Sequence, residues 1–96
     1  MYLLTYIYRT ASSGCESRYN KTFDTLDAVV KYIQTEWYDS FCEDNEYPDD
    51  WDEENLGPMP SREFFTVKTV KRGSFFAPYD QFLAIVQHEL ILDILN

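Results

Sequence analysis

Two segments near the N-terminus alternate between faces in the manner of β-strands. Residues 2–9 place large apolar side chains at both even and odd positions, which is typical of a central strand with two partly apolar faces. Residues 17–23 alternate again, with Tyr19 and Lys21 on one face. The small residues at 11–14 indicate a turn, so we expect the two segments to pair antiparallel.

A period of 3.6 residues follows this pair and predicts a helix. Asp24 is the predicted N-cap, and Asp27 lies near the positive end of the helix dipole. At about 100° per residue, an acidic stripe lies about 115° round the helix from the apolar stripe, clear of the core. The apolar stripe consists of Leu26, Val29, Val30, Ile33, Trp37 and Phe41, and the acidic one of Tyr32, Glu36, Asp39 and Glu43.

The C-terminal half is predicted to contain a loop, a strand and a last helix. Residues 44–61 should form a long loop, because three prolines and a glycine interrupt them. Residues 62–72 alternate and predict a strand, with a short extension or turn at 74–77. Pro78 fits the first turn of a last helix that runs to about Leu95. This helix is apolar almost all round, so it should be covered on two sides or mediate a homodimer.

These elements predict one α+β domain covering residues 1–96, with the acidic loop 44–61 inside it. The expected order is ββα-loop-β(β)α, which gives two layers: a small, mainly antiparallel sheet of about three to four strands and two helices. No apolar run approaches the ~20 residues that span a bilayer, and the N-terminus lacks the features of a secretory signal. We therefore expect a cytoplasmic protein that does not contact membranes, with Cys15 and Cys42 as reduced thiols.

The charge is concentrated in one segment of the chain. Residues 32–61 contain ten acidic and no basic side chains, whereas the rest has seven acids and eight bases, and the whole chain carries −9. Like charges crowded this closely repel one another and destabilise a compact state. A basic partner would relieve that repulsion, unless the segment is only a solvated face. The ten acids are Glu36, Asp39, Glu43, Asp44, Glu46, Asp49, Asp50, Asp52, Glu53 and Glu54.

Enzymatic and metal chemistry are disfavoured, so we assign no catalytic residue, cofactor or metal ligand. His88, the single histidine, is predicted on the polar edge of the last helix, and a Cys15–His88 nucleophile pair requires the fold to bring them together. The carboxylates at 49–54 would accept calcium but lack the residue spacing of an EF-hand. Direct nucleic-acid binding is disfavoured as well, because the duplex is a polyanion and the basic cluster is limited to residues 68–72.

Aromatic side chains are interleaved with the acids, among them Tyr47 and Trp51. Tyr and Trp are favoured as interface anchors, because they bury a large area at low entropic cost. The alternative is that Trp51 folds back onto the core. The sequence therefore predicts a partner-binding surface made of the ten acids with Tyr47 and Trp51, complementary to a basic protein such as a nucleic-acid-binding enzyme.

In size, charge and aromatic content, the chain resembles the small acidic proteins with which phages and mobile elements block host nucleic-acid enzymes, such as anti-restriction and anti-CRISPR inhibitors. This resemblance implies mimicry of nucleic acid in the host cytoplasm. The chain also resembles the small acidic immunity proteins that neutralise basic toxin nucleases, which implies an antitoxin role. A structural subunit that self-associates through the last helix and a small enzyme that uses Cys15 are the remaining alternatives.

Overall fold

The computed structural model describes residues 1–10, 14–71, 74–76 and 86–95, which form a small α+β fold. Its strands make one antiparallel sheet in the order β2-β1-β4-β3, and the helical segments pack on one face of that sheet. The strands are β1 (Tyr2–Thr10), β2 (Cys15–Phe23), β3 (Ser74–Phe76) and β4 (Val86–Ile94). The helical elements are α1 (Leu26–Tyr32), a π-helical turn (Ile33–Trp37), α2 (Tyr38–Asp44), α3 (Glu53–Leu56), a 3₁₀ turn (Arg62–Phe64) and α4 (Val67–Val70).

β1 and β2 form the antiparallel hairpin that the sequence predicts. Their register pairs Tyr2 with Phe23 and Thr10 with Cys15. Gly14, just before β2, has a φ of 68°, a conformation that glycine adopts without steric cost. β1 also pairs along its length with β4, so it is the central strand that its two apolar faces indicate.

The predicted helix is confirmed, because α1, the π-helical turn and α2 form one continuous segment that we call helix 26–44. Its N-cap is Thr25 rather than Asp24, which corrects the prediction. The Thr25 hydroxyl accepts a hydrogen bond from the Ala28 backbone N–H at 3.2 Å. Asp24 stands one residue too early to reach the free N–H groups of the first turn in this way.

The π-helical turn fits the spacing of the buried side chains. Val29, Ile33, Trp37 and Phe41 are buried and recur at every fourth residue. In an α-helix, a four-residue step rotates the stripe by about 40° each time. The π-helical turn is wider, and here the Tyr38 N–H donates to the Ile33 carbonyl five residues earlier. This wider turn keeps the four side chains directed at the sheet.

The hydrophobic core lies between helix 26–44 and one face of the sheet. Leu4, Leu90 and Leu92 supply the sheet side, because residues paired across β1 and β4 point to the same face. Phe65, from the chain that follows the helix, is fully buried in the same core. This packing fixes the position of the helix over the sheet.

The predicted strand over residues 62–72 is wrong over 62–71, which contain the 3₁₀ turn and α4; residue 72 lies outside the described residues. The Thr66 hydroxyl accepts a hydrogen bond from the Thr69 backbone N–H at 3.4 Å and so caps α4. Such a cap favours a helical turn in a segment whose β-branched residues otherwise favour a strand. Of the predicted loop 44–61, Asp44 is the last residue of α2, and the remainder consists of turns, irregular stretches and the short helix α3. β3 matches the short extension predicted at 74–77, of which residue 77 lies outside the described residues.

The predicted last helix is wrong where it falls on described residues; residues 78–85 lie outside them. Val86–Ile94 is strand β4, placed between β1 and β3. His88, Leu90 and Leu92 are buried on one of its faces, so burial alternates with a period of two. Pairing with β1 outweighs the local helix propensity of this leucine-rich run. Residues 86–94 therefore provide no apolar helix through which the predicted homodimer could form.

We expect Thr25→Ala to lower the free energy of unfolding by about 1 kcal/mol, because the N-cap hydrogen bond to Ala28 is lost. Urea denaturation followed by circular dichroism measures this change. Asp24→Ala is the matched control, since Asp24 is exposed and precedes the cap; it should change stability by less than about 0.5 kcal/mol. A larger loss for Asp24→Ala than for Thr25→Ala would contradict the assignment of the cap.

Candidate functional site

The ten acidic side chains of residues 32–61 lie on the outside of the molecule. Nine of them are exposed and Asp52 is half-buried. Glu36, Asp39 and Glu43 lie on helix 26–44 and are exposed, whereas the apolar stripe of that helix is buried. We call this set the acidic surface; it consists of Glu36, Asp39, Glu43, Asp44, Glu46, Asp49, Asp50, Asp52, Glu53 and Glu54.

Tyr47 and Trp51, the predicted anchors for a partner, pack against the body of the protein. The Tyr47 ring centroid lies 5.0 Å from that of Phe41 and 5.1 Å from that of Trp51. The Trp51 indole N–H donates a 2.9 Å hydrogen bond to the Gly57 carbonyl. Both side chains are half-buried against the core. Trp51 therefore folds back onto the core, which is the alternative that the sequence left open. The two rings therefore anchor the acidic loop 44–61 to the core.

Backbone hydrogen bonds also order the segment that follows helix 26–44. The Tyr47 N–H donates to the Cys42 carbonyl at 2.8 Å, and the Asp50 N–H donates to the Glu46 carbonyl at 3.0 Å. Glu46 has a φ of 56°, a conformation that few non-glycine residues adopt, and it marks the reversal of the chain after the helix. The carboxylates of this segment are therefore carried on a backbone of defined turns.

Arg62 directly follows the acidic loop 44–61 and connects the end of that loop to helix 26–44. Its guanidinium pairs with Asp39 at 2.7 Å and also donates to the Gln34 carbonyl. The guanidinium carbon lies 4.9 Å from the Tyr38 ring centroid, within the range of a cation–π contact. The Tyr38 hydroxyl donates to the Pro60 carbonyl at 2.7 Å, and burial is the main cause that raises the pKa of Tyr38 to about 12. Asp39 thus has an internal counter-charge.

His88, which the sequence placed on a polar helix edge, is buried in the core with 1% of its surface exposed. Its Nδ1 lies 2.7 Å from the Tyr6 hydroxyl, and its Nε2 lies 3.4 Å from the Tyr47 hydroxyl. The Phe41 ring contacts the imidazole edge to face, with 4.9 Å between centroids. Burial lowers the pKa of His88 to about 4, so the ring is neutral at pH 7.

A neutral imidazole has one donor and one acceptor nitrogen, so it can satisfy both tyrosine hydroxyls at once. In one tautomer, Tyr6 donates to Nδ1 and the Nε2–H donates to the Tyr47 oxygen; the other tautomer reverses both bonds. Burial is also the main cause that raises the pKa of Tyr6, with smaller contributions from Tyr8, Tyr47 and Asp44. Tyr6, His88 and Tyr47 therefore form an uncharged network whose polar atoms are bonded to one another, which suits a structural role.

The Cys15–His88 pair does not come together. Cys15 begins the edge strand β2 and is exposed, whereas His88 lies on β4, on the other side of β1, and is buried. Two strand spacings of about 4.8 Å each separate their backbones, and hydrogen bonding requires side-chain atoms within about 3.2 Å. Both cysteines are thiols and form no disulfide. Among the described residues, no three His, Cys, Asp or Glu side chains are grouped so that they could hold a metal ion.

A groove of about 500 Å³ lies between β1, β2 and helix 26–44. Lys21 lies at the Tyr32 end, with its ammonium 4.5 Å from that ring centroid, and Asp44 lines the other end. We did not expect this groove, although Tyr6 and Tyr8 at alternate positions of β1, with Tyr19 on β2, are a signal for an aromatic sheet face. The rings that line it belong to Tyr6, Tyr8, Tyr19, Tyr32, Trp37 and Phe41.

The chain matches no protein-family model, and no curated protein or solved structure is significantly similar to it. Within the ranges that the structure describes, no helix combines the length and the apolar content needed to cross a bilayer. A function must therefore be inferred from the chemistry of the acidic surface and of the groove beside it.

We expect His88 to make the protein less stable as the pH falls from about 6.5 to about 4. The pKa of the ring is near 6.5 in the unfolded chain and about 4 in the folded one. Between these values the unfolded chain binds a proton that the folded chain does not, so the free energy of unfolding decreases with decreasing pH. We expect the full loss to reach about 3 kcal/mol below pH 4, and urea denaturation at each pH would measure it.

His88→Gln is the matched variant, because its amide also offers a donor and an acceptor to the two tyrosines. The carboxylates titrate in both proteins, so the difference between the two stability curves isolates His88. The advantage of the wild type over the variant should shrink as the pH falls through this range. NMR titration of the single histidine provides an independent reading. A ring pKa near 6.5 in the folded protein would contradict a buried neutral His88.

Proposed function

We propose that the protein is a non-catalytic inhibitor whose acidic surface occupies the nucleic-acid groove of a basic partner, a nucleic-acid-binding enzyme. The observation that carries this proposal is the exposure of nine carboxylates on a segment held in shape by the core and by backbone hydrogen bonds. An acidic tail kept only for solubility would not need Tyr47 and Trp51 packed beneath it. A surface of fixed shape also loses little conformational entropy on binding, which favours affinity.

The acids at the end of α2 are not explained by the stability of the helix. Glu43 and Asp44 lie in its last turn, which contains no basic side chain. The helix dipole places partial negative charge at this end, so a carboxylate there is unfavourable by about 0.3–1 kcal/mol. Lys or Arg would stabilise the same positions. A cationic partner would relieve both the dipole and the mutual repulsion of the acids, which supports a role in binding.

The charge of the acidic surface resembles what a nucleic-acid groove is built to hold. Duplex DNA presents about one negative charge per 1.7 Å of axis, and proteins bind it with Lys and Arg. Long-range attraction to such a groove would speed association, and the bound protein would exclude nucleic acid by charge and by bulk. This is the type of function performed by anti-restriction and anti-CRISPR inhibitors, and it would be exerted in the cytoplasm.

Charge reversal at two exposed acids tests the proposal. Asp49→Lys/Asp50→Lys should weaken capture of a nucleic-acid-binding protein from bacterial lysate by about tenfold or more, because two attractive charges become repulsive. Asp24→Lys/Asp93→Lys is the matched control, since it makes the same change in net charge at exposed positions outside the acidic surface. This control should retain capture, and biolayer interferometry with the purified partner quantifies both variants.

The captured protein should bind duplex DNA or RNA, and the inhibitor should displace that nucleic acid. Raising the salt from about 0.05 to about 0.5 M should weaken the complex mostly through its association rate. Equal loss of binding in the two variants would contradict a specific role for the acidic surface. A captured protein without affinity for nucleic acid would contradict mimicry, and a captured toxin nuclease would identify an immunity protein instead.

A further inference from the structure

We propose that the groove between β1, β2 and helix 26–44 holds an arginine side chain of the partner, with its guanidinium beside Asp44 and against the Tyr19 ring. This inference rests on the proposed function and deepens it by naming the group of the partner that is recognised. The volume of the groove, about 500 Å³, falls within the range of about 300–1,000 Å³ that is usual for ligand pockets. It therefore has room for one arginine side chain with its flanking atoms.

Asp44 provides the negative charge of the groove. It is the exposed last residue of α2, so its carboxylate adds to the partial negative charge of the helix end. Its charge also acts on the groove, because it is among the influences that raise the pKa of Tyr6, after burial, Tyr8 and Tyr47. A cation at this end is attracted by the carboxylate and by the helix dipole together.

Tyr19 also lines the groove and provides an accessible aromatic face. Its side chain is 62% exposed, and its ring stacks on Tyr6 with 6.1 Å between centroids and 24° between planes. Trp37 meets Tyr6 edge to face at 5.4 Å, which completes an aromatic wall. Ring faces attract cations, and the planar guanidinium of arginine stacks on them while it pairs with a carboxylate. The ammonium group of lysine lacks that planar face.

The molecule already binds one guanidinium with the same two groups. Arg62 lies 4.9 Å from the Tyr38 ring centroid and pairs with Asp39 at 2.7 Å. A tyrosine ring and a carboxylate, together with the Gln34 carbonyl, therefore position this arginine on the protein. Tyr19 and Asp44 offer the same pair of groups along the groove.

Lys21 limits where a cation can enter. Its ammonium lies 4.5 Å from the centroid of the Tyr32 ring, so that end of the groove already carries a positive charge. Residues 32 and 44 are roughly 18 Å apart along the helix at 1.5 Å per residue. An incoming arginine is thus directed to the Asp44 end. Asp44 also belongs to the acidic surface, which continues well beyond the groove, so a macromolecule is favoured over free arginine.

Two blocked peptides, with four Arg-Gly or four Lys-Gly pairs, test this inference when their binding to the full chain is measured by calorimetry. The acidic surface attracts both peptides by charge, whereas the groove distinguishes guanidinium from ammonium. We expect the arginine peptide to bind about fivefold more tightly. Tyr19→Ala and Asp44→Asn should each remove most of this preference, whereas Tyr19→Phe keeps the ring and should retain it. Asp49→Asn should weaken both peptides equally and leave their ratio unchanged.

Equal affinities for the two peptides, or a preference that survives Tyr19→Ala, would overturn the inference. A dimer in sedimentation that the peptides do not dissociate would overturn it too. So would a small molecule that native mass spectrometry detects on the wild type and not on Tyr19→Ala. If the arginine preference is absent while Asp49→Lys/Asp50→Lys still loses the partner, the groove inference fails alone. If the preference is present while that reversal leaves capture intact, the proposed function fails instead.

Discussion

The packing of one stripe of helix 26–44 against the sheet holds the rest of the structure in place. The stripe stays aligned because a π-helical turn adapts the helix to side chains that recur at every fourth residue. Phe41 closes the stripe and contacts the rings of Tyr47, Trp51 and His88. The core, the segment that carries the loop acids and the buried histidine therefore meet at one side chain. A substitution at Phe41 would therefore alter the packing of the core, of the acidic loop 44–61 and of His88.

The fold separates an uncharged polar interior from a charged exterior. His88 is neutral between two tyrosine hydroxyls, so the polar atoms beneath the acidic segment need no counter-ion. The carboxylates above it face solvent, and the dipole of α2 makes those at its end less favourable still. Electrostatic free energy is thus left unrelieved at the end of the helix, beside the aromatic groove. A cationic partner bound there would lower this electrostatic free energy.

The N-terminal half could be predicted from the sequence, because its hairpin and its helix are specified by local patterns. β4 could not, since it forms through pairing with β1 across most of the chain; the Tyr6–His88 hydrogen bond spans 82 positions. Its two-residue alternation was readable, but leucine also favours helices. The exposure of the three acids on helix 26–44, Glu36, Asp39 and Glu43, followed from their spacing. The inward packing of Trp51 did not, because it depends on the position of Phe41 and Gly57.

Carbodiimide labelling of carboxylates, in the free chain and in its complex with a captured partner, tests the central claim that the acidic surface is the docking face. We expect labelling of Glu43, Asp49 and Asp50 to fall strongly in the complex, whereas Asp24 and Asp93 react as they do in the free chain. Protection of Asp24 and Asp93 with unchanged labelling of the acidic surface would contradict it.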